Sequence, residues 1–261
     1  SGVVHGDQTS SESGEYGRAR RWMAEDVNAA VAGVLEAGAT EIVVNDSHGS
    51  MRNILPEDLH PKAVLISGTP KPLSMMQGID TTFDACLFIG YHAKAGTAAS
   101  TLDHTISGGT VSAIKVNGVE LPEMGLNGAI AGYYNVPVVM LSGDAETCRQ
   151  AQALFGNEVV TAAVKEAIGR YSARLLPFGE ARRLIQERAK EAVLKRAKIK
   201  PFKINPPCQF ELAFLNSGQA ELAELVPQVK RTSARAVSFE TNDFIQGFKL
   251  LRALIALAPP R

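Results

Sequence analysis

Three runs of unbroken apolar residues do most to restrict how this chain folds: Ile42-Val43-Val44, Ala85-Cys86-Leu87-Phe88-Ile89 and Val136-Pro137-Val138-Val139-Met140-Leu141. None shows the in-and-out alternation of a strand with one wet face, and all are shorter than an ordinary helix. Such runs belong to strands of a parallel sheet that is covered on both sides. Helical spacing precedes the first of them. From Tyr16 to Ala37 apolar residues recur at Trp22, Met23, Val27, Ala30, Val31, Val34 and Leu35, and Gly38 supplies a C-cap. A helix running into a buried strand after so short a turn is half of a βαβ unit. "KAVLISG" (62–68) reads as a further strand, "MMQGI" as a short helix or turn, and residues 123–135 as a helix leading into the strand at 136–144.

The texture changes after "ARLLPFG" (173–179). Residues 180–198 form a charged amphipathic helix whose interleaved Glu and Arg suit a solvated face better than a basic binding patch. "FELAFL" and "RAVSFE" read as alternating strands leading to helices at 219–225 and 242–257, and residues 109–121 as a hairpin turning at Asn117-Gly118. The expected fold class is therefore α/β: a doubly wound, mostly parallel sheet over residues 1–177, with a smaller α+β domain over 178–261 that controls access and self-association. A doubly wound domain ordinarily opens on a strand. Here the polar stretch "SGVVHGDQTSSESGEYG" comes first, so a first strand is expected ahead of Ser1.

Lys plus Arg and Asp plus Glu number 27 each, a balance that gives no support to nucleic acid or an anionic membrane surface as a partner. No apolar run approaches the roughly 20 residues of a membrane span. Cys86, Cys148 and Cys208 are odd in number and widely spaced, which argues against a disulfide framework and for a reducing cytoplasm.

Two histidines close buried strands: His48 ends "IVVNDSH" and His92 ends "LFIGYH". Each alone reads first as an ordinary hydrogen-bonded histidine and only second as a ligand. Together they sit where open α/β sheets place their chemistry, at the carboxyl ends of strands, and could meet at one ion. His104 lies in a loop of small residues that can present it to a substrate. Glu123, after Pro122, is either a first-turn acid suited to the helix dipole or a carboxylate ligand at the same crevice. His5 and His60 read as surface residues, Asp46 as a local hydrogen-bonding group, and Lys94 and Lys115 as solvated cations. Asp103 could orient an imidazole. Ser47 has no GxSxG context, and "SGGTVSAIKVNG" lacks the strand, glycine loop and helix of a nucleotide site.

"VNDSHG" (44–49), "LHPKAVLISG" (59–68), "FIGYHAKAG" (88–96), "DHTISG" (103–108) and "PEMGLNGAIAGYYNVPVVMLSGD" (122–144) resemble, in order, the bacterial zinc-dependent D-aminopeptidases associated with dipeptide-permease operons. The resemblance implies two zinc ions per subunit, with His48 a ligand of one and His92 and Glu123 ligands of the other. His104 matches the family's catalytic histidine. Family members open on a strand ending in Asp-x-Glu-Gly that supplies the remaining ligands, and they assemble into homo-oligomeric rings, a decamer being the size expected. The implied substrate is a short peptide with an N-terminal D-residue such as D-Ala. Two rivals remain: a related hydrolase of β-amino or other unusual amides, and a non-catalytic binding or assembly protein without an intact metal site.

Overall fold

The structure, a computed structural model, describes residues 1–259. In chain order the principal elements are α1 (Tyr16–Glu36), β1 (Ile42–Asn45), β2 (Ala63–Ile66), β3 (Cys86–Phe88), the hairpin β4 (Val111–Val116) and β5 (Val119–Glu120), α2 (Glu123–Tyr133), β6 (Val138–Asp144) and α3 (Ala145–Phe155). Then follow β7 (Val160–Gly169), β8 (Ser172–Leu175), α4 (Phe178–Lys195), β9 (Cys208–Phe214), α5 (Ser217–Ala223), β10 (Lys230–Ser233), β11 (Ala236–Thr241) and α6 (Phe244–Leu257). Gly38 ends α1 with φ +89°, and Asn117 and Gly118 turn the β4–β5 hairpin with φ +52° and +79°. Both turns need the left-handed region, which is why glycine and asparagine stand there.

The fold is α/β. β3, β6 and β7 are parallel neighbours, with β8 added antiparallel at the edge, and every residue of β6 is buried. β1 and β2 form a separate parallel ladder. A five-stranded antiparallel sheet runs β10-β11-β9-β4-β5 and so draws on strands from both sides of residue 177. Its apolar face, with Phe210, Leu212 and Phe214, shares one core with α2 and α6. No helix among the described residues is long and apolar enough to cross a membrane.

Between the two parallel ladders lies a cleft of about 460 Å³. Residues 41–45 form one wall, residues 84–89 the other, and Val27, Val31 and Val34 of α1 one side. Among the described residues β1 pairs only with β2, and β3 only with β6, so each keeps an unpaired edge. All four residues of β1 are only half-buried, although their composition suits full burial.

α1 also lies against α4, which buries Ala181, Ile185, Ala189 and Ala192 at helical spacing. Contact is closest at Gly33, where an added Cβ would stand 2.1 Å from the carbonyl oxygen of Gln186. Because that obstacle is backbone, the helices must separate to admit a methyl group. Gly33→Ala is expected to destabilise by about 1–3 kcal/mol. Thermal unfolding checks this, since for a chain of this size Tm falls about 2–4 °C per kcal/mol. An unchanged Tm would mean that the helices are not in such close contact.

Candidate active site

The residues at issue gather at the carboxyl ends of the parallel strands. β3 delivers His92 four residues past Phe88. The loop of residues 93–110, which has no regular structure, carries His104, and α2 begins at Glu123. Nε2 of His92 lies 3.3 Å from Oε1 of Glu123. The His92 and His104 rings stack with centroids 3.7 Å apart and 17° between planes. One ligand atom from each of His92, His104 and Glu123 lies within 4.8 Å of the others.

Backbone carbonyls hold a proton on Nδ1 of both rings. Nδ1 of His92 is 3.0 Å from the carbonyl oxygen of Ala93, and Nδ1 of His104 is 2.7 Å from that of Leu102. A carbonyl can only accept, so each Nδ1 carries the proton and each Nε2 is left to the crevice. Metal-binding histidines are oriented in this way, by donating their other N–H to an acceptor outside the metal's own ligands. Glu123 is buried, and its second oxygen accepts the Ile106 N–H at 2.7 Å.

Burial alone would raise the Glu123 pKa, but His92, through charge and hydrogen bond, with His104 and the Ile106 N–H, holds it down at about 2. Burial likewise opposes the charged form of His92, and Glu123 outweighs it, so the His92 pKa is raised. With both ring nitrogens donating, His92 is an imidazolium here, and its charge stands against the buried carboxylate. His104 goes the other way. Burial, then the nearby His92 charge, pushes it down to about 4, so it is neutral at pH 7.

His48 stands apart from this cluster. It is exposed, and its Nε2 donates to the Thr9 carbonyl at 3.2 Å. Asp46 shapes its turn: the buried carboxylate accepts the N–H groups of Asn53 (2.5 Å) and Ile54 (2.7 Å), and the Asn53 amide donates to the His48 carbonyl at 2.7 Å. Asp103 does not face the His104 ring. Its oxygens accept from the N–H groups of Gly96 and Thr97 and from Arg170. His5 is exposed and His60 half-buried, both outside the crevice. Lys94 pairs with Glu120 and Lys115 with Glu211.

Sequence reading passed over two residues that hold the His104 loop. Asp144, buried at the end of β6, accepts from Ser100 Oγ (2.8 Å), Thr101 N (2.7 Å) and Thr147 N (2.8 Å). Its N-cap position before "AETC" was a readable signal. Arg170, in the β7–β8 turn, offered none.

Two imidazoles and a carboxylate with converging donors, both rings anchored from behind, suit a zinc ion by ligand type and by outer support. Fold and site together define an α/β protein with a candidate histidine–carboxylate cation site at the carboxyl edge of its sheet. The model of peptidase family M55, described as D-aminopeptidase, matches residues 1–253, and the chain belongs to that family. It is 39% identical over 257 residues to the D-aminopeptidase of Bacillus subtilis strain 168, covering 97% of this chain and 92% of the relative. The solved structure of the Zn-dependent D-aminopeptidase DppA from Bacillus subtilis, described as a self-compartmentalizing protease, superposes with a TM-score of 0.96 at 37% identity, covering 99% of this chain and 93% of the other.

Proposed function

We propose that this protein is a zinc-dependent aminopeptidase that removes an N-terminal D-residue, such as D-Ala, from short peptides. Family membership supports the activity. The observation that carries the site is the convergence of His92, His104 and Glu123, with the Nδ1–H of each imidazole held by a backbone carbonyl. His92 and Glu123 would hold one zinc and His48 would serve a second. When bound, zinc supplies Lewis-acid polarisation of the scissile carbonyl and a nucleophile at neutral pH. His104 acts as general acid/base: its Nε2 is unprotonated at pH 7 and faces the cluster, so it can take a proton and return it to the leaving amine.

The second zinc needs ligands that His48 alone does not provide, and the cleft between β1 and β3 offers a place for them. The reading is that a strand preceding Ser1 fills it, giving the order β2-β1-strand-β3-β6-β7-β8 and satisfying both open edges. Residues 1–9 cross the carboxyl edge, where Lys165 reaches the Val3 carbonyl and His48 the Thr9 carbonyl. A parallel strand ending there would bring its last residues between His48 and His92, where the Asp-x-Glu of the family pattern belongs.

Self-association is proposed as well, as a homo-oligomeric ring, with ten subunits the expected size. The relative described as self-compartmentalizing supports it, as do the exposed Ile168, Tyr171 and Phe178 around β7, β8 and the start of α4. Cytoplasmic localisation fits the three free cysteines.

The test prepares the chain from Ser1 and the chain with the preceding strand, then measures zinc per subunit and hydrolysis of D-Ala, L-Ala and β-Ala amides before and after chelation. About two zincs and chelator-sensitive cleavage of D-Ala amide are expected only with the strand present. Preference for β-Ala amide would favour the related-amide hydrolase. No cleavage and no zinc with the strand present would favour a non-catalytic binding protein.

A further inference from the structure

The loop that carries His104 is held on its outer side by the turn between β7 and β8. Leu102 N–H donates to the Arg170 carbonyl at 2.9 Å. The Arg170 guanidinium returns across the gap, one nitrogen donating to both the carbonyl and the carboxylate of Asp103. Asp103 is buried and its other oxygen gathers Gly96 N–H (2.7 Å) and Thr97 N–H (3.2 Å), so the clamp reaches both limbs of the loop. Held between these contacts, Leu102 has φ +52°, a conformation that a bulky side chain keeps only when its surroundings over-determine it. That conformation belongs to the residue whose carbonyl accepts the His104 Nδ1–H.

We propose that Arg170 is a positioning residue for His104: by clamping the Leu102–Asp103 segment to the β7–β8 turn, it aims the Leu102 carbonyl at Nδ1 and so keeps Nε2 free and directed at the substrate. This rests on the acid/base reading of His104. Among the described residues the Arg170 side chain hydrogen-bonds to Tyr171 and Asp103 and not to His92, Glu123 or His104, so its effect is carried through the backbone. A guanidinium suits the task because one planar group can serve a carbonyl and a carboxylate together.

The experiment compares Arg170→Met, Arg170→Lys, Asp103→Asn and His104→Ala in the zinc-loaded, assembled protein. It records kcat and KM on a D-alanyl amide, zinc content, and the ¹⁵N resonances of His104, assigned by their loss in His104→Ala. Arg170→Met is expected to lower kcat by about 10- to 100-fold, the cost of misplacing a catalytic group by about an ångström, with KM and zinc unchanged. The His104 spectrum should move from one tautomer to a mixture, and Arg170→Lys should recover part of both effects. Should Arg170→Met fail to fold, Asp103→Asn loosens the same clamp from its other side and is expected to change kcat and tautomer alike. A pure His104 Nδ1–H signal in whichever clamp variant folds, or a kcat loss matched by lost zinc, would overturn the proposal in favour of a merely structural contact. Undiminished activity in His104→Ala would overturn the acid/base reading and the clamp's catalytic meaning with it. A loss in His104→Ala without one in the clamp variants overturns the clamp alone.

Discussion

Replacing His104 by alanine is expected to lower kcat on a D-alanyl amide by about 10²- to 10⁴-fold, the range general acid–base groups contribute, while zinc content is retained. Retention is the telling half of this expectation. His104 shares the 4.8 Å cluster with His92 and Glu123 and could by distance alone be a third ligand. Its hydrogen bonding separates the roles. His92 is already tied to Glu123 through Nε2, whereas Nε2 of His104 has no protein partner among the described residues and is neutral at pH 7. A free, unprotonated nitrogen beside the reacting bond is what a proton shuttle requires. Zinc analysis and steady-state kinetics on the same preparation decide it. Loss of zinc in step with activity would make His104 a ligand, and unchanged kcat would remove it from the reaction.

What the sequence makes legible here is local, and what it hides depends on pairing across long separations. Val138–Leu141 and Cys86–Phe88 read as buried parallel strands because covering both faces leaves no polar alternation. Tyr16–Glu36 was visible from its apolar spacing, and Asn117-Gly118 from turn chemistry. β7 passes unread: its inward Val160, Ala162 and Val164 alternate with Thr161 and Ala163, so alanine on both faces dilutes the pattern. Nothing local says that the β4–β5 hairpin joins β9, about 100 residues later, into one sheet, so the expected division at residue 177 follows a change of composition rather than a boundary between sheets.

Within the site, His92 and Glu123 could be suspected because one ends a buried strand and the other starts a helix, and both places face the sheet's carboxyl edge. The separation of His48 from them was not legible, since it turns on the cleft that parts β1 from β3. Asp103 shows the limit of adjacency: it neighbours His104 in sequence but turns to Gly96, Thr97 and Arg170. Arg170 meets Asp103 across 67 residues, through guanidinium contacts that no spacing rule reports.

Glu123→Gln is expected to weaken zinc binding by more than the 10- to 100-fold that loss of a supporting partner costs, and to abolish most activity with it. The amide can satisfy both of its neighbours only in one arrangement. Oε1 faces Nε2 of His92 and Oε2 faces the Ile106 N–H, so the NH₂ group must donate to an unprotonated Nε2 and thereby engage the lone pair that zinc would need. The lost carboxylate charge also leaves the His92 imidazolium without its buried partner. In the wild-type protein the same pair sets the pH dependence of metal removal.

The His92 pKa is raised above 6.5, so its contribution to the metal-free fold is fully present below 6.5 and is lost as pH rises through the raised value. The Glu123 pKa is depressed to about 2, so its contribution is present above 4.5 and is lost as pH falls towards about 2. The metal-free protein is therefore best served by this pair between the two ordinary values. Zinc must displace the His92 proton, and its advantage grows as pH rises and that proton leaves without help. The gap in Tm between zinc-loaded and chelated protein should widen from pH 5.5 to pH 8 in the wild type and stay small throughout in Glu123→Gln. A gap that narrowed with rising pH in the wild type would mean that zinc does not replace the proton on His92, and the assignment of His92 with Glu123 as ligands would fail.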